Sequence, residues 1–295
     1  MSVAKLLNFG VNVLGTEVVI DKPLIARNIW TTHSNVYYVD KRVTSSGNGR
    51  SWTYAYKTIA EAIAVMNARI DWSETPWAVG DICFIGPGSY DENLTSMPYG
   101  ATLIGAGHDM RDGQQGTKIA PSTGDCVDVG AMINTRLINI GFIAPASKDC
   151  IDAEIMNNNM LEGCYLSGPA ETQTARGIVT NDAVMNKIVG CQFSCLDKGI
   201  DVNYADGGDS FSHNLIRNDV FDQIDSAGIE ISTLLVGPSS KVIGCDFFGG
   251  SATMLYAIDD NSGILDVSRC NAEASNGFDG VRSVNASYLN GSLQS

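Results

Sequence analysis

The sequence predicts an all-β protein wound as a single-stranded parallel β-helix, a solenoid. Three observations carry this. A short apolar pattern recurs every 24 to 27 residues. Each repeat holds two strand-like segments with no helical periodicity between them. Gly and Asn, the residues of tight corners, number 31 and 22 among 295 residues, against only 8 Pro.

The repeat is clearest where Lys187-Ile-Val-Gly-Cys-Gln-Phe193 returns 54 residues later as Lys241-Val-Ile-Gly-Cys-Asp-Phe247. Midway lies Leu215-Ile-Arg-Asn-Asp-Val220. Related segments sit at Ile138–Phe142, Leu161–Leu166 and Val267–Ala272. One column reads Ile140, Cys164, Cys191, Asn218, Cys245 and Cys270, with steps of 24, 27, 27, 27 and 25. Two residues on, a second reads Phe142, Leu166, Phe193, Val220, Phe247 and Ala272. Residues two apart share one face of a strand, so both columns point the same way. A second strand gives a third column: Val127, Ile151, Ile178, Ile200, Ile229, Ile258 and Val281. A unit this small cannot bury its own apolar face, and stacking such units buries a continuous core. The solenoid is predicted over Asp81–Ser283.

Ahead of it, Thr58-Ile-Ala-Glu61 is a capping-box pattern. Ile59, Ala62, Ile63 and Met66 then share one helical face. A helix is predicted at Tyr56–Arg69, covering the N-terminal end of the solenoid. Four sections result: 1–34, which does not fit the repeat; a cap region, 35–80; the β-helix, 81–283; and a polar tail, 284–295.

Composition excludes several classes. A net charge of −14 argues against a nucleic-acid partner, which needs a basic footprint. No apolar run approaches the roughly 18–20 residues that insert in a membrane. The first ten residues lack the basic and apolar regions of a secretory leader. The eight Cys form no CxxC pair, and none of the three His stands near a Cys pair. They are expected to be free, small, buried residues rather than disulfides or zinc ligands.

Val36-Tyr-Tyr-Val-Asp40, the turn Ser45–Arg50, Trp52 and Tyr56-Lys-Thr-Ile-Ala-Glu-Ala-Ile63 resemble the opening of pectin-lyase-like right-handed parallel β-helix domains. Gly80-Asp-Ile-Cys-Phe-Ile-Gly-Pro-Gly-Ser-Tyr90 resembles their first rung. The resemblance covers residues 35–283 and speaks to fold. That family includes polysaccharide lyases, glycoside hydrolases, phage tailspikes and non-catalytic virion proteins, so fold alone does not give function. The resemblance also implies a homotrimer. Residues 1–34 resemble the particle-anchoring regions of phage appendages, which implies contact with other virion proteins.

The candidate chemistry lies in the residue after each Ile of the third column: Asp128, Asp152, Val179, Asp201, Glu230, Asp259 and Arg282. Adjacent strand residues alternate faces, so these point outward, about 4.8 Å apart from rung to rung. Such a ladder could bind Ca²⁺ through Asp128, Asp152 and Asp259, or supply an acid/base pair from Asp201 and Glu230. The plainer reading is a solvated face that keeps a β-surface soluble. Stacked like charges repel, so cations are expected nearby. A second acidic group, Asp219, Asp222, Asp225 and Glu230, lies near Arg217 in sequence. A lyase would use the carboxylates for Ca²⁺ and Arg217 as base. The loop Tyr204–Ser210 reads as a turn, or as a cation loop. His108 and His213 read as structural. Asn218 reads as a buried Asn bonded to rung backbone. Trp30, Trp52, Trp72 and Trp77 read as packing of the cap. No catalytic signature of the family falls on these positions.

The sequence therefore points to a non-catalytic structural protein of a bacteriophage virion. It would be a trimeric tail or capsid appendage or spike, without a cofactor, held through residues 1–34. The alternative is a secreted or virion-borne polysaccharide-degrading enzyme, a lyase or glycoside hydrolase. That enzyme would act on cell-surface polysaccharide at the outer face of the β-helix.

Overall fold

The computed structural model describes residues 11–14, 17–20, 35–70, 80–107, 116–170, 172–203, 211–232, 238–249 and 254–294. Val11–Leu14 and Glu17–Ile20 form a separate antiparallel hairpin. The chain winds as a parallel β-helix, as the repeat predicts, but the winding starts at Val36, ahead of the predicted Asp81, because Val36–Val39 pairs in register with Ile82–Ile85. Ten parallel strands, from Val36–Val39 to Ser283–Asn285, make the first wall. The remaining strands join in one bent sheet of 17. It forms a second wall around Phe142, Phe193 and Phe247, and a third around Ile151, Ile200 and Ile258. Each rung passes the walls in that order.

In-register pairing stacks like on like. In the first wall, Leu137, Leu161, Ile188, Ile216, Val242 and Val267 follow one another and are buried. In the second, Phe193, Phe221 and Phe247 stack with centroids 4.6 Å apart and planes within 10° of parallel. The strand spacing imposes that distance. The close stack leaves no room opposite. A Cβ on Gly199 would stand 2.5 Å from the Phe221 ring and 2.5 Å from the Gly228 carbonyl oxygen.

Three readings of the repeat are corrected. Leu215 pairs with Lys187 and Lys241, so Phe221, not Val220, continues the aromatic column. Asp219, not Asn218, then falls between Cys191 and Cys245. Asn218 is instead an exposed corner at φ 56°, matching Gly190 at 63° and Gly244 at 65°. Asn tolerates this left-handed conformation, which is why it can stand where the neighbouring rungs use Gly. In the third wall Ile258 pairs with Phe278, not Val281, because the last rung is shorter. Arg282 belongs to the return toward the first wall, where its N–H donates to the Leu265 carbonyl. The rungs also continue past Ser283: Ser287–Leu289 pairs with Asn271–Glu273, and Ser292–Gln294 turns back antiparallel on it.

Helix α1 spans Ile59–Asn67, inside the predicted span. Its capping box is complete, with Thr58 accepting from the Glu61 N–H and Glu61 accepting from the Thr58 N–H. Ile59, Ala62, Ile63 and Met66 are buried as the spacing requires. Glu92, from the solenoid, accepts the Ile59 and Ala60 N–H groups at 3.0 and 2.9 Å. These are otherwise orphan donors of a first helical turn. All eight cysteines are free and buried.

A polar ladder escapes the sequence reading. At the corner leading into the first wall, Thr135, Asn159, Asn186, Asn214 and Ser240 stack in the interior. Each Asn Oδ1 accepts the backbone N–H of the residue one rung earlier, at 2.9 Å. Asn186 Nδ2 donates to the Met156 carbonyl at 2.7 Å and Asn214 Nδ2 to the Ala183 carbonyl at 2.8 Å. The ladder satisfies backbone groups that the corner removes from the sheets.

Replacing Asn186 by Ala strands the Asn159 N–H and the Met156 carbonyl. The expected cost is roughly 2–4 kcal/mol, read as a lower urea midpoint at unchanged slope. Gly199→Ala forces the phenylalanine stack apart and is expected to cost about 1–3 kcal/mol. Wild-type stability in both variants would count against these ladders as sources of order.

Candidate functional site

The outward carboxylates occupy the third wall. Pairing places Asp128, Asp152, Val179, Asp201, Glu230, Asp259 and Asp279 in one column. The sequence-derived column is therefore correct up to Asp259, and Asp279 replaces Arg282 at its end. A neighbouring column holds Asp149, Arg176, Lys198, Ala227 and Tyr256.

The two columns neutralise each other. Arg176 grips Asp149 with Nε and Nη2 at 2.9 and 2.8 Å, and reaches Asp201 with Nη1 at 3.0 Å. Lys198 Nζ bridges Asp201 at 3.3 Å and Glu230 at 2.8 Å. Asn203 Nδ2 adds a bond to Asp201 at 2.8 Å. One chain of charge thus runs Asp149, Arg176, Asp201, Lys198, Glu230 across four rungs. The expected cations are supplied by the strands themselves. The gap at Val179 adjoins Arg176 on the same strand.

Burial alone works against charge on Arg176 and Lys198. The carboxylates of Asp149 and Asp201, and of Glu230 and Asp201, outweigh it and hold both cations more firmly protonated than usual. Asp201 is fully buried under these partners, despite lying on the outer side of the wall.

Asp152 differs. It is partly exposed, and burial followed by the charges of Asp149, Asp128 and Asp125 pushes its pKa up to about 6. Burial and the neighbouring Glu230 raise Asp259 too. Asp128 is exposed on the rung beside Asp152. Asp259 lies four strands beyond Asp152, so these three cannot share one ion. Among the described residues no group of three or more Asp, Glu, His or Cys side chains is placed to hold a metal. Asp152 and Asp201 stand two strand spacings apart, about 9.6 Å. That is near the wide limit for an inverting glycosidase pair and too wide for a retaining one.

The second acidic group is dispersed around the coil. Arg217 is exposed on the first wall, and Asp222 lies on the second between Ser194 and Phe248. Glu230 is on the third wall. Sequence neighbours walk around a rung, so closeness in sequence does not bring them to one site. Arg217 is not placed to act as a base beside Glu230. His213 is an exposed left-handed corner at φ 57°. Trp52 is half exposed and meets Tyr38 edge-on at 4.9 Å. The loop Tyr204–Ser210, His108, Trp30, Trp72 and Trp77 lie outside the described residues.

Asp219 is the residue the sequence reading placed least well. Its side chain points into the core, in the ladder of Cys164, Cys191, Cys245 and Cys270. Oδ1 accepts the Cys191 N–H at 2.6 Å. Oδ2 is buried with no hydrogen-bond partner. Burial pushes its pKa up to about 7, against the pull of the Cys191 and Arg217 amides.

Neither a protein-family model nor a curated protein matches this sequence. Among solved structures the chain is similar to pectate lyase Pel9A, at 14% identity and a TM-score of 0.49, over 89% of this chain and 78% of that one. It is also similar to ORF18 of Geobacillus virus E2, at 12% identity and a TM-score of 0.30. That match covers 86% of this chain and 60% of the viral one, less than two thirds of its length. The solenoid's own parallel registers establish the fold, a parallel β-helix as the pectin-lyase-like resemblance implies.

The raised pKa of Asp219 fixes a sign. The folded chain holds this proton more tightly than the unfolded chain, whose carboxyl titrates near 3.8. The corresponding stability is complete below about pH 4 and is lost as pH rises through about 7. Asp219→Cys, which continues the thiol ladder, is expected to melt higher than wild type at pH 8, with the gap narrowing as pH falls and closing only below about pH 4. A gap independent of pH would refute the buried protonated carboxyl. Arg176→Met leaves Asp149 and the buried Asp201 without their shared cation, and is expected to cost roughly 3 kcal/mol in urea unfolding.

Proposed function

We propose that the protein is a non-catalytic structural β-helix of a bacteriophage virion, a tail or capsid appendage. It is assembled from several copies of the chain and attached through residues 1–34. The state of Asp201 carries this reading. A catalytic carboxylate must meet substrate, whereas Asp201 meets Arg176, Lys198 and Asn203 and no solvent. The carboxylates at the centre of the outer column serve as cross-links between rungs. The sequence resemblance to tailspikes and virion proteins supplies the biological class.

One observation favours a second reading, a polysaccharide lyase or glycoside hydrolase. Asp152 is accessible and holds its proton up to about pH 6, as a general acid must. Asp128 beside it could share a Ca²⁺ ion or position a sugar.

Purified protein incubated with a panel of acidic polysaccharides is expected to release neither reducing ends nor unsaturated products. Release that disappears in Asp152→Asn would establish the enzyme and sink the structural reading. Electron microscopy of particles labelled with antibody to the purified protein is expected to show symmetric decoration. Unlabelled particles would remove the virion assignment.

A further inference from the structure

Three weaknesses meet on the rung Asn214–Ser232. The first is Asp219, in the core column where the neighbouring rungs carry thiols. Each of those thiols donates to the carbonyl two residues before it: Cys164 to Glu162, Cys191 to Val189 and Cys245 to Ile243, each at 3.7 Å, and Cys270 to Ser268 at 3.4 Å. The niche therefore takes a donor. A carboxylic acid has one, and a carboxylate has none. Oδ1 is engaged by the Cys191 N–H, and Oδ2 is buried without a partner. The second weakness is register. Among the described strand pairings, only those of this rung with the rung before and the rung after shift, between Leu196 and Lys198 and between Asp222 and Ile224. A shifted pair leaves backbone groups out of the ladder. The third is packing. A cavity with an apolar lining lies against Leu215 and Ile216 of this rung, among Met156, Ile178, Ile200 and Phe211. Atoms beside a void lose contacts on that side.

Against these stand the stack of Phe193, Phe221 and Phe247 and the bridge from Lys198 to Glu230, both of which cross the rung. The state of Asp219 tips the balance. Among the described residues the titratable groups that face its side chain are Cys191 and Cys245, one rung to each side, with Cys164 and Cys270 beyond them. Arg217, two residues before it, is exposed, and its charge acts against the effect of burial.

We propose that this rung is a joint under the control of one proton. While Asp219 is protonated the rung stays closed. When the proton leaves, the coil opens there locally, ahead of the rest of the solenoid, and brings Cys191 and Cys245 to solvent. A solenoid allows this, because each rung contacts only its neighbours and need not unfold with the whole. Opening returns the carboxyl to its ordinary range near 3.8, against about 7 in the closed coil. Opening is therefore least favoured below about pH 4 and becomes easier as pH rises to about 7. It gains roughly tenfold per pH unit over that range, about a thousandfold in all, and is level above it.

The buried thiols report the opening. The full chain is exposed briefly to N-ethylmaleimide between about pH 5 and about pH 8.5, and mass spectrometry of its peptides reads the labelling of each cysteine. Labelling of Cys191 and Cys245 is divided by that of Cys126 and Cys150, which lie several rungs before Asp219. The division cancels the general rise of thiol reactivity with pH. The ratio is expected to rise roughly tenfold per pH unit up to about pH 7 and then stay level. Asp219→Asn keeps a donor at every pH and is expected to abolish the dependence. Asp219→Cys serves the same comparison if the first variant does not fold. A wild-type ratio flat with pH overturns the joint, whether all thiols are labelled together or Cys191 and Cys245 stay unlabelled throughout. A rise that persists in both variants overturns it too, and hands the opening to another group, such as the exposed His213 at the entry to the rung.

Discussion

In-register stacking governs this molecule. Each rung adds one strand at about 4.8 Å, so a residue's nearest long-range neighbours are its counterparts one rung up and one down. A favourable choice is multiplied along the axis, and an unfavourable one is multiplied equally. Three phenylalanines become a stack at 4.6 Å. Three asparagines become a wire of backbone hydrogen bonds. Carboxylates in one column would become a line of repulsion, and the chain offsets this with Arg176 and Lys198 in the adjacent column.

The departures from uniformity are therefore the informative positions. Asp219 and Asp260 are both fully buried carboxylates, and they differ in how they are satisfied. Asp260 accepts from the Ser262, Gly263, Ile264 and Leu265 amides and from the Ser262 hydroxyl, so both its oxygens are engaged by its own turn. Asp219 sits where its neighbours carry thiols, and finds a donor for Oδ1 only. A thiol tolerates that niche because it is a weak hydrogen-bonding group. A carboxylate does not, and burial pushes its pKa up to about 7.

The same logic sets what the sequence discloses. The apolar column of the first wall is readable because its step stays between 24 and 28 residues, and that of the third, whose step runs from 22 to 29, because Ile followed by an acidic residue recurs in it. The slip at Asn218 arises because the step is 28 from Cys191 to Asp219 and 26 from Asp219 to Cys245, and an even division of that interval falls on Asn218. Phe221, aligned with Phe193 and Phe247, was the available cue, since a large aromatic in the core tolerates displacement less than a corner residue does. The asparagine ladder stayed hidden because Asn158, a left-handed corner, and Asn159, its buried neighbour, look alike in composition. Arg176 and Lys198 lie three residues before Val179 and Asp201, an odd interval that simple alternation assigns to the opposite face. Their ion pairs to Asp201 put them on the same side as it, which no count of residues reveals.

Where the unsatisfied groups lie bears on function. Sites that act on substrate keep polar groups short of partners at the surface, so that a ligand completes them. Here the central outer carboxylate has three side-chain partners, and the half-satisfied one is inside the thiol ladder, out of reach of any polysaccharide. Asp149 and Glu230 are matched in the same way, by Arg176 and Lys198, so the carboxylates at the centre of the third wall are engaged in holding successive rungs together.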